Sequence, residues 1–333
     1  MKRKVFLSAA LIVSAGFAFG QGNVSNVTST GTGNTANVSQ TGLTNEAEIV
    51  QDGTDNGARQ TQYGTSNEAF IAQTGEANVA IQWQSGTTNL ARVNQTVGAV
   101  GNFAYQYQYG NSNNAYTIHY LTNHDSYQYQ FGQENRAVAD LWGNSDLSYQ
   151  YQNGYANYAR SFVTGDNNYS GQNQYGDQNS LNVEQTGNAN YSIQYQFGNQ
   201  NTAFVQQGVY SSNTQAFGNG AWQIQYGTAN DATINQLGES NYAEQLQGYE
   251  RVYSGESYYY DAEAPTANNV ALINQDGVDN EALQNQYGDG GNIATTTQSG
   301  SLNEATTSQW GSLNNSTVTQ TGTGNVATVF QSN

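Results

Sequence analysis

The sequence predicts an all-β, two-sided β-solenoid. Three observations carry that expectation: an eleven-residue unit that recurs through almost the whole chain, strand-type alternation inside each unit, and a glycine in nearly every unit. The unit reads Q-x-G-x-x-N-x-A-x-h-x, with h often Val, Ile or Gln. Gln40 is followed by Gly42, Asn45, Ala47 and Ile49; Gln51 by Gly53, Asn56 and Ala58; Gln62 by Gly64, Asn67, Ala69 and Ile71. The frame runs on through Gln73, Gln84 and Gln95, slips by two residues around 97–101, and re-locks at Gln108. It then steps by eleven through His119, Gln130, Leu141, Gln152, Val163, Gln174, Gln185, Gln196 and Gln207, and returns later at positions such as Gln225, Gln236, Gln286 and Gln309.

A period of eleven also suits a right-handed helical coiled coil. The recurring glycine excludes it, because each glycine in a helix interior costs about 1 kcal/mol. Asn, Ala, h and the next Gln fall at alternate positions, which is the period of a strand. The Gly-x-x that precedes each Asn supplies a tight turn, since glycine tolerates positive φ.

A doubled period of 22 pairs unlike strands. One kind of strand carries outward aromatic columns: Tyr105, Tyr127, Tyr149; then Tyr107, Tyr129, Tyr151, Tyr195; then Tyr109, Phe131, Tyr175, Phe197. Between them run inward glutamines, Gln106, Gln128, Gln150, Gln194 in one column and Gln108, Gln130, Gln152, Gln174, Gln196 in the next. Gln40, Gln62, Gln73 and Gln84 hold the same inward position in earlier units, and Asn45, Asn67, Asn135, Asn179 and Asn201 are read as inward too. The alternate strands place Thr after the Gln or its equivalent, as at Thr74, Thr96, Thr164 and Thr186. Roughly thirteen rungs at the ~4.8 Å strand spacing give a rod ~60 Å long.

Composition narrows the function. The 333 residues include 82 Asn and Gln, 37 Gly, 25 Tyr, one Pro and no Cys. A disulfide-stapled secreted domain is excluded by the missing cysteines. Eight Lys and Arg against 25 Asp and Glu oppose phosphate binding, so no nucleic-acid partner is expected. Lys2, Arg3 and Lys4 precede an apolar run from Val5 to about Phe19 that ends in Ala18-Phe19-Gly20, which reads as a cleavable export signal over 1–20. The remaining chain, 21–333, would hold five arginines against the 25 acidic residues, a formal charge of −20.

Inward amides need partners, because an unpaired buried amide costs on the order of 1–3 kcal/mol. Amides stacked along the rod axis satisfy one another, as in the Asn/Gln ladders of cross-β assemblies, and a slip in register would separate the columns. The outward tyrosines form stacked rings on the surface. The first candidate strand lies near Val24–Ser29 and the last near Asn325–Gln331, and neither end reads as an amphipathic helix or proline-rich cap. Open, self-similar edges invite head-to-tail growth.

The units resemble the curlin repeat, S-x5-Q-x-G-x-x-N-x-A-x3-Q. Gln62-Tyr63-Gly64 with Asn67 and Ala69 carries the likeness, as does Gln286-Tyr287-Gly288 with its shifted Asn292 and Ala294. Ser126 to Gln130-Phe131-Gly132 with Asn135 and Ala137, and Ser192 to Gln196-Phe197-Gly198 with Asn201 and Ala203, match much of it. The resemblance covers nearly all of 21–333 and implies a curli-type subunit: a secreted, extracellular cell-surface fibre, assembled as a homopolymer into functional amyloid for biofilm matrix and cell adhesion. It also implies a nucleator subunit and an outer-membrane secretion pore with chaperones as partners; contact with surfaces or matrix polysaccharide is compatible with such a fibre. The chain departs from a typical curlin in its greater length and in repeats that start almost at once, with no separate secretion-targeting segment.

The frame is disturbed near 210–220 and between 249 and 268, where the only proline, Pro265, sits; a tolerated insertion loop is the expectation there. No catalytic, cofactor-binding or metal-binding residues are expected: carboxylates are scattered, G-x-S-x-G and HExxH are absent, and His119 and His124 have no further ligands beside them in the sequence. The alternative to a fibre subunit is a monomeric secreted β-solenoid adhesin or an ice-binding-like rod, which needs capped ends and one flat regular face.

Overall fold

A regular eleven-residue unit folds as a nine-residue strand and a two-residue turn, for example Asp125–Gln133 followed by Arg136–Asn144. Alternation decides which side chains turn inward: in Asp125–Gln133, Ser126, Gln128 and Gln130 are buried, and Tyr127, Tyr129 and Phe131 lie on the outer face. Two units make one rung. Successive rungs stack in parallel and in register, so that Gln128 sits over Gln150 and Tyr129 over Tyr151.

The computed structural model describes residues 13–15, 22–208, 216–248, 250–253, 258–261 and 266–333. The rest of the expected signal segment, residues 209–215 of the first disturbed stretch, and 249, 254–257 and 262–265 of the expected insertion, Pro265 among them, lie outside the described residues. Within them the chain is an all-β solenoid of about 13 turns, with two parallel sheets whose strands alternate in sequence. One sheet runs from Thr35–Leu43 through Phe103–Asn111 and Leu147–Tyr155 to Val326–Ser332 and is called the aromatic sheet below. The other, the mixed sheet, runs from Val24–Thr32 through Arg136–Asn144 to Asn315–Thr323. Val13–Ala15 pairs in parallel along Ala36–Val38 at the N-terminal edge of the aromatic sheet. The thin core is built from alanines such as Ala104 and Ala137 and from Ile49, Ile71, Leu141, Leu181, Ile234 and Ile273, all with essentially no exposure.

The interruptions leave the stack at one place in the unit. Strands Thr202–Gln207 and Tyr242–Gln247 stop at their inward glutamine. The rungs are then completed by Ala216–Phe217, which pairs with Gly187–Asn188 and Gly238–Glu239, and by Thr266–Ala267, which pairs with Gly227–Thr228. The second excursion contains an antiparallel hairpin, Glu250–Tyr253 with Tyr258–Asp261. The extra residues after Gln95 do the same on a smaller scale: Val97 bulges into solvent and Ala99 takes the place opposite Gly75.

The turn differs from the sequence expectation in one respect. Glycine is not its only left-handed residue: Gly132 has φ 108°, and Glu134, two residues on, has φ 57°. Non-glycine residues recur at this second position, including Thr44, Ser66, Ala77 and Ala156. The glycine is required by proximity as much as by φ, because a Cβ on Gly132 would overlap the carbonyl oxygen of Gly154 one rung away. Gly132→Ala should therefore lower unfolding stability in urea by more than ~1 kcal/mol, while Glu134→Gly, at the position that already accepts other residues, should stay within ~1 kcal/mol of wild type.

Candidate functional site

The regular feature inside the rod is a set of hydrogen-bonded amide ladders. In the aromatic sheet one ladder is unbroken from Gln40 to Gln331: each Nε2 donates to the Oε1 of the glutamine on the next rung at 2.7–3.1 Å. The second N–H of each amide is used as well; Gln130 Nε2 also donates to the Asn114 carbonyl at 2.9 Å. A parallel ladder runs from Gln60 to Gln284 at 2.7–3.1 Å. Both N–H groups are thus satisfied where burial would otherwise cost about 1–3 kcal/mol.

Asparagine columns run with the opposite sense. The backbone N–H and side-chain Nδ2 of Asn67 donate to Asn45 Oδ1 on the previous rung, each at 3.0 Å. The Nδ2 also reaches forward to the Gly86 carbonyl at 3.0 Å. Asn135, Asn157, Asn179 and Asn201 repeat this pattern. Each column pins the left-handed turn of its own rung to its neighbours.

Apart from Gln73, the inward residues named from the sequence lie in these columns. Gln62, Gln73, Gln84, Gln106, Gln108, Gln128, Gln130, Gln150, Gln152, Gln174, Gln194 and Gln196 are fully buried, and Gln40, on the first rung of the aromatic sheet, nearly so. Gln73 lies in the mixed sheet, bonded to Gln51 and Gln95 at 2.9 Å. Asn45, Asn67, Asn135, Asn179 and Asn201 are buried at the turns. The outward aromatics lie on the outer face of the aromatic sheet. Tyr109 and Tyr175 are exposed, and Tyr105, Tyr107, Tyr127, Tyr129, Phe131, Tyr149, Tyr151, Tyr195 and Phe197 half-buried. Their rings stack from rung to rung, with Tyr105–Tyr129 centroids 5.5 Å apart, Tyr151–Tyr175 5.2 Å and Tyr175–Phe197 5.0 Å.

One stretch of the interior breaks the rule. In the mixed sheet the glutamine ladder stops at Gln95 and resumes at Gln185, with His119, Leu141 and Val163 between. The asparagine column that holds Asn78 and Asn102 continues as His124 and Asp146 before returning to Asn168. His124 Nε2 lies 2.7 Å from the Tyr120 carbonyl, and its Nδ1 faces the Asp146 backbone N–H at 3.3 Å, an arrangement that suits a neutral ring with Nε2 protonated. Asp146 Oδ2 lies 3.5 Å from the same Nδ1, and Oδ1 accepts from the Asn168 backbone N–H and Nδ2. His119 stands beside them, ring centroids 5.7 Å from His124, fully buried and with neither ring nitrogen hydrogen-bonded.

Sequence reasoning left Asp146 unremarked and treated the histidines as ordinary. The signal was present: Asp146 lies eleven residues after Asn135, and His124 eleven after Asn113, so both occupy the asparagine position of the unit. Burial drives the Asp146 carboxyl up to about 7 from its ordinary 3.8, opposed by the Asn168 hydrogen bonds. Burial first, and His124 second, hold His119 well below 6.5; burial also lowers His124, against the hydrogen bond to Tyr120. The signs follow from linkage. Folded Asp146 keeps a proton that the unfolded chain gives up, so its contribution falls as pH rises from about 4 to about 7. The folded histidines refuse a proton that the unfolded chain takes up, so theirs falls as pH drops below about 6.5. Asp146→Asn restores an amide to the column and should raise unfolding stability at pH 8 by a few kcal/mol while changing little at pH 4. His119→Gln should remove much of the loss of stability on acidification, both measured by urea denaturation across pH.

Comparison with known protein families finds the Curlin associated repeat at residues 44–75, 64–96 and 290–322. No curated protein matches the chain.

Proposed function

From the curlin-associated repeats matched at 44–96 and 290–322, we propose a structural subunit of extracellular curli-type amyloid fibres that grow by stacking end rungs and serve biofilm matrix and cell adhesion. The observation that carries this reading is the polarity of the ladders. Glutamine amides donate toward higher residue numbers, and asparagine columns donate toward lower ones. Gln331 Nε2 therefore faces one end of the rod and Gln40 Oε1 the other. If the strand Asn315–Thr323 of one copy meets Val24–Thr32 of the next, and Val326–Ser332 meets Thr35–Leu43, the 22-residue register continues through the joint. Gln331 then donates to Gln40, and the backbone N–H groups of Asn23 and Asn34 donate to Asn314 and Asn325. Reversing one copy sets glutamine donor against donor or acceptor against acceptor, so the joint has a single favourable direction.

On this reading the segment 1–20 is an export signal. Its Val13–Ala15 lies along the strand that would receive the preceding copy, so its removal leaves the whole edge free. A nucleating subunit and an outer-membrane secretion pore with chaperones are the partners implied by the family, and the excursion at 249–268 is a tolerated insertion. No catalytic role is part of the proposal. A charge of −20 along the rod opposes contact between copies and makes assembly sensitive to salt.

Purified residues 21–333 should form seedable fibres that bind thioflavin and give a meridional reflection near ~4.8 Å. A stable monomer without that reflection overturns the proposal and favours the capped adhesin rod. Replacing an inward residue should matter more than replacing an outward one: Gln130→Ala should slow fibre growth several-fold more than Tyr129→Ala, because it leaves Gln108 and Gln152 each short of one hydrogen-bond partner inside the rod. Equal effects on growth kinetics would contradict the role given to the ladder.

A further inference from the structure

The outer face of the aromatic sheet is unlike the rest of the rod. Over the six rungs from Val79–Thr87 to Tyr191–Asn199, the outward positions hold one charged side chain, Asp125, in a chain with 25 acidic residues. On either side charged residues return to the outward positions, Arg59 on the rung before and Glu244 two rungs beyond. Four outward positions per strand at ~6.6 Å intervals, over six rungs at ~4.8 Å, make a face of roughly 550 Å². That is at the upper end of the largest patch on a typical monomer, and patches of that size are often functional.

The relief of this face says what fits it. The rings stack obliquely along the rod axis: Tyr105–Tyr129, Tyr107–Phe131 and Phe131–Tyr151 each have centroids 5.5 Å apart, with planes inclined by 41°, 39° and 38°. The result is a set of ribs repeating near the strand spacing. Ribs of that period seat along their whole length only against a surface with the same period, which means another stacked sheet. A partner with any other repeat drifts out of phase within a few rungs.

We propose that this face pairs with the same face of a second copy, so that two rods lie side by side with their aromatic sheets apposed. Two faces of roughly 550 Å² bury about 1,100 Å² together, which clears the ~1,000 Å² expected of a specific interface. The pairing is self-complementary and closes as a twofold dimer. Charge points the same way: elsewhere the acidic rods repel one another, and here the repulsion is confined to one Asp125 from each copy. Burial already holds the Asp125 carboxyl above its ordinary value.

The pairing does not rest on end-to-end growth, and thickness can be measured apart from length. Residues 21–333 would be followed by small-angle scattering for cross-section and by sedimentation velocity for mass, across salt concentration, with electron microscopy of any filaments. Wild type should have the cross-section of two rods, formed more readily as salt screens the repulsion. Tyr107→Glu with Tyr151→Glu should reduce it to one rod, while Val138→Glu with Thr233→Glu, on the outer face of the mixed sheet, should leave it paired. Asp125→Asn should lower the concentration at half-pairing at least about threefold, since it removes the one charge on the apposed face without disturbing a ring. Single rods at every salt concentration overturn the proposal, whether or not they retain polysaccharide on the aromatic face. So does a paired Tyr107→Glu, Tyr151→Glu variant, or an Asp125→Asn variant with an unchanged midpoint. Thin, long filaments would be growth without pairing, and thick particles of one rod length would be pairing without growth.

Discussion

A buried primary amide must place two N–H groups and one carbonyl, and in this rod the glutamine side chain does so with one bond to its own rung's surroundings and one to the next rung. That requirement sets the rest of the architecture. Rungs must be equal in length at the ladder positions, or an Nε2 misses its Oε1. Strands must be parallel and in register, because an antiparallel neighbour would place a different residue opposite. Departures must then leave the stack where they do not move a glutamine, which is why the excursions after Gln207 and Gln247 start just past the ladder residue. Gln207 still reaches Gln236 at 2.9 Å and Gln247 still reaches Gln286 at 2.9 Å across them.

The two sheets do not share this requirement evenly. The aromatic sheet has two glutamine columns, and one of them passes through every rung. The mixed sheet has one, broken over His119, Leu141 and Val163, and fills its other inward positions with small and branched apolar residues such as Ile71, Val93 and Ala139. Specificity of register therefore resides mainly on the aromatic side, where a slip breaks directional bonds. The mixed side contributes apolar burial, which is tolerant of sequence. That difference explains how His119 persists in the interior: the rungs around it are also held by Gln106, Gln128 and Gln150 on the opposite wall.

Much of this was legible in the sequence because an in-register parallel stack converts separation along the chain into contact. Residues 22 apart touch, so the Tyr107, Tyr129, Tyr151 column and the Gln108, Gln130, Gln152 column could be read before any coordinates. The features that were not legible depend on the space between rungs, which periodicity does not encode. Nothing in the unit's pattern marks residues such as Glu134 or Ala156 as left-handed; their φ follows from closing a two-residue turn between strands that must stay stacked. The pattern likewise records a glycine at 132 without revealing the carbonyl of Gly154 against it. Asp146 was hidden for a different reason, since a carboxylate and an amide have nearly the same shape and only position betrays the substitution.

An interior lined with amides also changes how stability responds to temperature. Unfolding a protein ordinarily raises its heat capacity because apolar surface meets water, and polar surface contributes with the opposite sign. Here the exposed interior would be largely glutamine, asparagine and alanine, so the two contributions offset one another and the net change per residue is small. A small heat-capacity change flattens the curve of free energy against temperature, because little of the stability derives from a hydrophobic term that fades on cooling. A rod built in this way loses less stability on cooling than a protein with an apolar core.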